Sequence, residues 1–241
     1  MNPVMIVQFS ASEGPGYLAD FLASQHIPFH VLRIDKGEVL PATLEAYSGL
    51  AMMGGTMSAN DDLPWIPPLL DLIRQAVAQG IPVIGHCLGG QLLAKAMGGA
   101  VTDSHFSEIG WVRGLPLDVP QAAEWLGCHT ELPLFQWHYQ TFSIPPRAVH
   151  ILRSEHCANQ AYVLDDLHIG FQCHIEMNRE LVQSWCGLSP EELKGGSEAD
   201  PAQPMIQSAD EILTTLDKRI AALNTWAGHV YTRWSRGLKR A

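Results

Sequence analysis

In the run Ile81-Pro82-Val83-Ile84-Gly85-His86-Cys87-Leu88-Gly89-Gly90-Gln91, an apolar segment breaks at a cysteine set between glycines. Glycine permits a turn tight enough to lift one side chain clear of the backbone where a strand meets a helix. The G-x-S-x-G elbow presents its serine in this way, and here sulfur stands in place of oxygen. Pro82 through Ile84 have the continuously apolar character of a buried parallel strand, and Gly89 through Met97 can coil directly afterwards. Cys87 then stands at a helix N-terminus, a setting whose free N–H groups and dipole favour thiolate over thiol. The N–H of Leu88 would face the oxyanion that forms when such a sulfur attacks a carbonyl. The competing reading makes Cys87 a small buried hydrophobe, as most free cysteines are. Gly85, Gly89 and Gly90 weigh against it, because an ordinary core cysteine needs no permissive backbone on both sides.

A nucleophilic cysteine needs a base, and the base needs an orienting group. Eleven histidines compete for the first role. His174 follows the strand-like Gly170-Phe171-Gln172-Cys173 and precedes Glu176 by two residues. In extended backbone, positions i and i+2 share a face, so that carboxylate can lie beside the imidazole and fix its tautomer. Cys87 and His174 would both sit at C-terminal strand ends, where parallel sheets collect their sites. A His-x-Glu taken alone is more often a surface pair. His138 is a rival base, since Trp137-His138-Tyr139 also reads as a strand end, but no acid lies near it in sequence. The other histidines have no comparable setting.

The elements that must hold these groups follow from the apolar pattern. Val4 to Phe9, Phe29 to Ile34 and Gly49 to Met53 read as strands, and Gly16 to Ser24 and Leu69 to Gln79 as helices. This alternation is the signature of a parallel sheet covered on both faces. Ser58 to Asp62 supplies turn and N-cap residues, and Pro64, Pro67 and Pro68 crowd an irregular first helical turn. From Val101 to Leu167 short β-rich pieces alternate with Pro/Gly turns, which predicts antiparallel sheet inserted after the elbow. His168 to Cys173 is again a strand. Met205 to Trp234 reads as mostly helical, reached through a linker from Gly195 to Pro201.

The 241 residues, 46% hydrophobic and 17% charged, describe a globular protein with a substantial core rather than a disordered chain. A formal charge of −10 disfavours partnership with nucleic acid or an anionic membrane. Arg233, Arg236, Lys239 and Arg240 near the C-terminus read as a solvated helix end. Five cysteines without a CxxC pair suggest neither a disulfide framework nor a zinc site. No basic leader precedes the short N-terminal apolar run, and no stretch approaches 18 apolar residues, so the chain reads as cytoplasmic and reduced.

Three segments together resemble the class I (triad) glutamine amidotransferases. Gly85-His86-Cys87-Leu88-Gly89-Gly90-Gln91 is similar to that family's G-x-C-x-G-x-Q nucleophile motif. Phe171-Gln172-Cys173-His174-Ile175-Glu176 is similar to its closing H-P-E segment, and Met53-Gly54-Gly55-Thr56-Met57-Ser58 to its glycine-rich oxyanion loop. They occur in the family's order, over roughly residues 1 to 190. The resemblance implies a three-layer α/β fold of the flavodoxin-like kind, with a mostly parallel central sheet, a small antiparallel insertion and extra C-terminal helices. A catalytic domain over 1–190 and a helical extension over 191–241 are expected.

Carried onto this sequence, the resemblance implies Cys87 as nucleophile, His174 as general base and acid, and Glu176 as the group that orients it. Backbone N–H groups of Gly55 and Leu88 would form the oxyanion hole, beside Gly54. Gly54, Gln91 and the segment Trp137-His138-Tyr139 would hold the glutamyl part of the substrate. The implied reaction is hydrolysis of glutamine or another γ-glutamyl compound through a thioester, needing no metal or organic cofactor. Ile175 stands where the family usually has proline, and His86 where it more often has an aliphatic residue. His86 either tunes Cys87 or is a satisfied buried histidine, and the second is preferred. The chain has neither a P-loop motif nor length for a synthase domain. It would therefore serve a separate synthase subunit or act alone as a γ-glutamyl peptidase. A non-catalytic binding module is the remaining alternative, disfavoured by the intact set of residues. A related thiol peptidase is disfavoured because Leu88 stands where those proteins usually carry histidine.

Overall fold

Val4, Met5, Ile6 and Val7 are fully buried, and their strand β1 (Val4–Gln8) lies between two parallel neighbours, β2 (Phe29–Arg33) and β3 (Gly49–Met52). Next to β3 comes β4 (Val83–His86) and next to β4 comes β9 (His168–Phe171), both also parallel. The computed structural model describes residues 1–193 and 205–239, so the predicted linker from Gly195 to Pro201 lies outside the described residues. Beyond β9 the same sheet continues through four antiparallel pairings. These take in β8 (Ala161–Leu164), β7 (Ala148–Arg153), β5 (Val101–Pro116) and β6 (Leu132–Phe142), giving the order β2-β1-β3-β4-β9-β8-β7-β5-β6. The inserted antiparallel region is thus a direct extension of the sheet. Its strands β5 and β6 are long, at 16 and 11 residues.

The alternation of strand side chains sorts the core into two layers. Val4 and Ile6 of β1 face one side, packed with α1 (Gly16–Ser24), α4 (Pro120–Leu126) and α5 (Arg179–Leu188). Met5 and Val7 face the other, packed with α2 (Ile66–Ala78) and α3 (Leu88–Ala96). A parallel strand buried on both faces reads as a continuous apolar run, which is why VMIV carries no alternation in sequence.

Three local expectations are corrected. α2 begins at Ile66 rather than Leu69, as a regular helix with Pro67 and Pro68 in its first turn. Proline suits that turn because the N–H it lacks has no partner there in any case. The expected side-chain cap from Ser58 to Asp62 does not form; Trp65 precedes the helix, and Asp61 instead accepts the Ser58 N–H at 2.9 Å within its own turn. Finally, Trp137-His138-Tyr139 lies in the interior of β6, not at its end.

The C-terminal residues form α6 (Ala209–Leu213) and the long α7 (Leu216–Arg236). Leu223, Trp226, Tyr231 and Trp234 of α7 are buried in the same layer as α1 and α4, and the Trp226 indole donates to the Pro133 carbonyl at 3.1 Å. Arg233 pairs with Glu124 and Asp166, both at 2.8 Å, and lies over the Trp125 ring. No helix among the described residues is long and apolar enough to cross a membrane.

Candidate active site

The turn from β4 into α3 is built from glycines because nothing larger fits. A Cβ on Gly85 would lie 2.4 Å from the Gly89 carbonyl carbon, one on Gly89 2.4 Å from the Met52 oxygen, and one on Gly90 2.3 Å from the Phe171 oxygen. Between them Cys87 adopts φ 47° and ψ −108°, a left-handed setting that L residues seldom occupy. The turn is clamped by the bonds Cys87 N–H to Phe171 O at 2.9 Å and Gly89 N–H to Met53 O at 3.1 Å. Cys87 therefore caps α3, nearly buried, with its side chain on the wall of a cleft. Leu88 is the first residue of α3, so its N–H has no carbonyl partner within the helix.

His174 lies just past β9, outside extended strand and directly before the turn at Ile175 and Glu176, and its N–H donates to Phe135 O at 2.9 Å. The turn still brings its Nδ1 to 2.7 Å from Glu176 Oε1, with both residues almost wholly buried. Nε2 is buried and has no hydrogen-bond partner among the described residues. Burial alone would push the imidazole pKa down, but the Glu176 carboxylate and the adjacent Cys87 sulfur outweigh it and hold His174 well above its ordinary range. Burial raises and His174 lowers the Glu176 pKa, and the net direction is downward. The Trp185 ring stands edge-on to His174 with centroids 4.8 Å apart.

Gly54 and Gly55 close the other side. A Cβ on Gly55 would meet Leu88 Cδ2 at 2.6 Å, so the Gly55 backbone packs directly on the first residue of α3. A Cβ on Gly54 would lie 2.1 Å from a Glu13 oxygen and 2.8 Å from His174 Cε1. Gly55, Cys87, Gln91, Trp137, His138, Tyr139 and His174 all line one cleft of about 460 Å³. Its volume falls within the roughly 300–1,000 Å³ usual for small-molecule sites.

In that cleft Gln91 donates to Gln140 O and to Gln172 Oε1, each at 3.2 Å. Gln172 in turn donates to Cys87 Sγ at 3.6 Å. His138, the rival base, does have an acid, Glu108 on the neighbouring strand, 2.9 Å from its Nε2. Its Nδ1 lies 3.1 Å from Gln140 O, so both ring nitrogens of His138 are occupied. Ser154 and Gln160 complete the Glu108 bonds at 2.8 Å each. Among the described residues, Glu108, His138 and Cys157 offer donor atoms within 4.8 Å of one another, close enough to hold a metal ion. Trp137 Nε1 donates to Glu192 at 2.8 Å and the Tyr139 hydroxyl bonds the same oxygen, tying the cleft rim to the segment after α5.

His86 is wholly buried, with Nδ1 3.2 Å from Met52 O and Nε2 3.1 Å from the Tyr231 hydroxyl. Burial lowers its pKa despite Glu176 and the Met52 carbonyl, so the neutral ring donates from Nδ1 and accepts at Nε2. This is the satisfied buried histidine preferred from the sequence. Residue reasoning missed Glu13, Gln172, Trp185 and Glu192. Only Glu13 carried a usable signal, since Ser12-Glu13-Gly14-Pro15-Gly16 follows the C-terminal end of a predicted strand.

Residues 17–181 match the family described as glutamine amidotransferase class-I. The glutamine amidotransferase-like protein YfeJ of Salmonella typhimurium is 32% identical over 67% of this chain and 70% of its own length. Gamma-glutamyl peptidase 4 of Arabidopsis thaliana is 26% identical over 58% of this chain and 57% of its own. A crystal structure of a glutamine amido transferase from Methylobacillus flagellatus superposes with a TM-score of 0.97 at 74% identity, covering 100% of this chain and 97% of that one.

Proposed function

The chain belongs to the class-I glutamine amidotransferase family, and from that premise we propose that it hydrolyses γ-glutamyl amides through a thioester on Cys87. The observation that carries the reading is the strained, helix-capping Cys87 beside a buried His174 whose second nitrogen is bonded to Glu176 at 2.7 Å. The Cys87 thiolate attacks the γ-carbonyl, and charge on the resulting oxyanion is met by the N–H groups of Leu88 and Gly55. His174 passes a proton from Nε2 to the nitrogen as the C–N bond breaks. Water then attacks the thioester, the same imidazole takes its proton, and the S–C bond breaks to release glutamate. Glu176 holds the ring and balances its charge throughout. Gln91 and the Trp137-His138-Tyr139 segment would bind the glutamyl group, whose α-substituents fit backbone donors and acceptors of β6.

A cleft of about 460 Å³ also leaves room for a substituent on the γ-nitrogen, which favours γ-glutamyl conjugates beside glutamine itself. The purified protein, given glutamine and γ-glutamyl amides, is expected to release glutamate together with ammonia or amine. Cys87→Ala should abolish that release while leaving the melting temperature within a few degrees. Activity unchanged in Cys87→Ala would overturn the assignment.

A further inference from the structure

Among the described residues, Glu13 is the one acid of the cleft whose carboxylate is both deeply buried, at 8% exposure, and without a hydrogen-bond partner. Asp103 accepts from Gln140, and Glu192 from Trp137 and Tyr139. The Glu13 oxygen lies against the same point above Gly54 as His174 Cε1, at 2.1 and 2.8 Å from it. It is held there by a tied loop: Trp185 Nε1 donates to Ser12 O at 2.8 Å, and the Tyr17 N–H donates to Glu176 O at 2.8 Å. Among the described residues, neither lysine nor arginine lines the cleft.

Resting on the acyl-transfer reading above, we infer that Glu13 forms a subsite for the leaving amine, selecting γ-glutamyl amides whose nitrogen substituent is cationic over those whose substituent is anionic. The departing nitrogen must face His174, which protonates it, so any substituent on that nitrogen continues past the imidazole toward Glu13. In the first half-reaction the Cys87 S–C bond forms, the C–N bond breaks, and the His174 proton completes the amine. In the second, water supplies the hydroxyl of glutamate and restores the proton. Nothing else is consumed. Glu13 stays chemically unchanged and acts on charge alone. A carboxylate there attracts an ammonium on the substituent and repels a carboxylate, and the neighbouring Asp103 and Glu192 add to the same field. Burial also raises the Glu13 pKa to about 7, more than His174 lowers it, so a cation nearby would favour the ionised form.

Three matched amides test this: γ-glutamyl ethylamide, γ-glutamyl 2-aminoethylamide and γ-glutamylglycine, which carry a neutral, a cationic and an anionic substituent. Wild-type kcat/KM should fall in the order cationic, neutral, anionic. Glu13→Gln should lower the cationic-to-anionic ratio by about tenfold or more, and Glu13→Asp, which keeps the charge, should preserve the order. A second measurement needs no variant: free ethylenediamine should inhibit wild-type glutamine hydrolysis at concentrations where glycine does not. A ratio unmoved by Glu13→Gln, or equal inhibition by the two amines, overturns the subsite alone. No amine release from any of the three amides by a wild type that still hydrolyses glutamine overturns the subsite alone, whereas no release from them or from glutamine overturns the acyl-transfer reading as well.

Discussion

The imidazole of His174 is fixed by a single short bond to Glu176, and its other nitrogen, beside the Cys87 sulfur, has no hydrogen-bond partner among the described residues. An acid in that position keeps the ring in one tautomer and offsets the charge it gains during proton transfer. Replacing Glu176 by Gln preserves volume and a hydrogen-bonding oxygen but removes the charge. The expected outcome is a fall in kcat of about 10²–10⁴-fold with KM little changed, measured as glutamate release at saturating substrate. A loss confined to KM would remove Glu176 from the proton-transfer unit. That Cys87, His174 and Glu176 would come together was legible in the sequence because each sits in a short motif at a strand end. Glu108 was not. It approaches His138 from 30 positions away through the pairing of β5 with β6, a contact that tertiary structure alone creates.

Strands and helices hold those groups through close backbone contact, and the glycines mark where the contact occurs. Gly85→Ala would drive a methyl to 2.4 Å from the α3 backbone, which cannot yield as a flexible side chain could. A loss of at least about 2–3 kcal/mol in urea unfolding is expected. Gly187→Ala, at an exposed position of α5, meets nothing within 4 Å and should instead add about 0.5–1 kcal/mol through helix propensity. If the two variants unfold alike, the elbow is not sterically set. The βα alternation up to the elbow was readable because buried parallel strands and amphipathic helices write different periods into the chain. Past Val101 the sequence gives β texture but not length or order. The course of β5 over 16 residues and the place of β7 between β8 and β5 depend on which neighbours accept their backbone bonds. The start of α2 was misplaced because two prolines read as disruption, whereas in the first turn they fit.

For the molecule as a whole, two buried groups, Glu13 in the loop after β1 and His168 on β9, impose opposing pH signatures on stability. Burial raises Glu13 from 4.5 to about 7, so the folded protein holds its proton more tightly than the unfolded chain does. That contribution is fully present below pH 4.5 and is lost as pH rises through about 7. His168 behaves in the opposite sense. Burial lowers it from 6.5 to about 4 while its Nδ1 accepts the Val83 N–H at 3.2 Å, so stability is lost as pH falls from 6.5 toward 4. Across their common window the two slopes offset, and a wild-type curve alone would hide both. The difference between Glu13→Gln and wild type isolates the first: near pH 5 the neutral acid and the amide should melt together, and by pH 8 the variant should melt higher. At about 1.36 kcal/mol per pKa unit the ceiling is ~3 kcal/mol, or up to about 10 °C for a chain of this size. A difference curve that stays flat from pH 5 to 8 would mean that Glu13 ionises as freely in the folded cleft as in water. The carboxylate that would steer the leaving amine would then carry no stored desolvation for a bound cation to relieve.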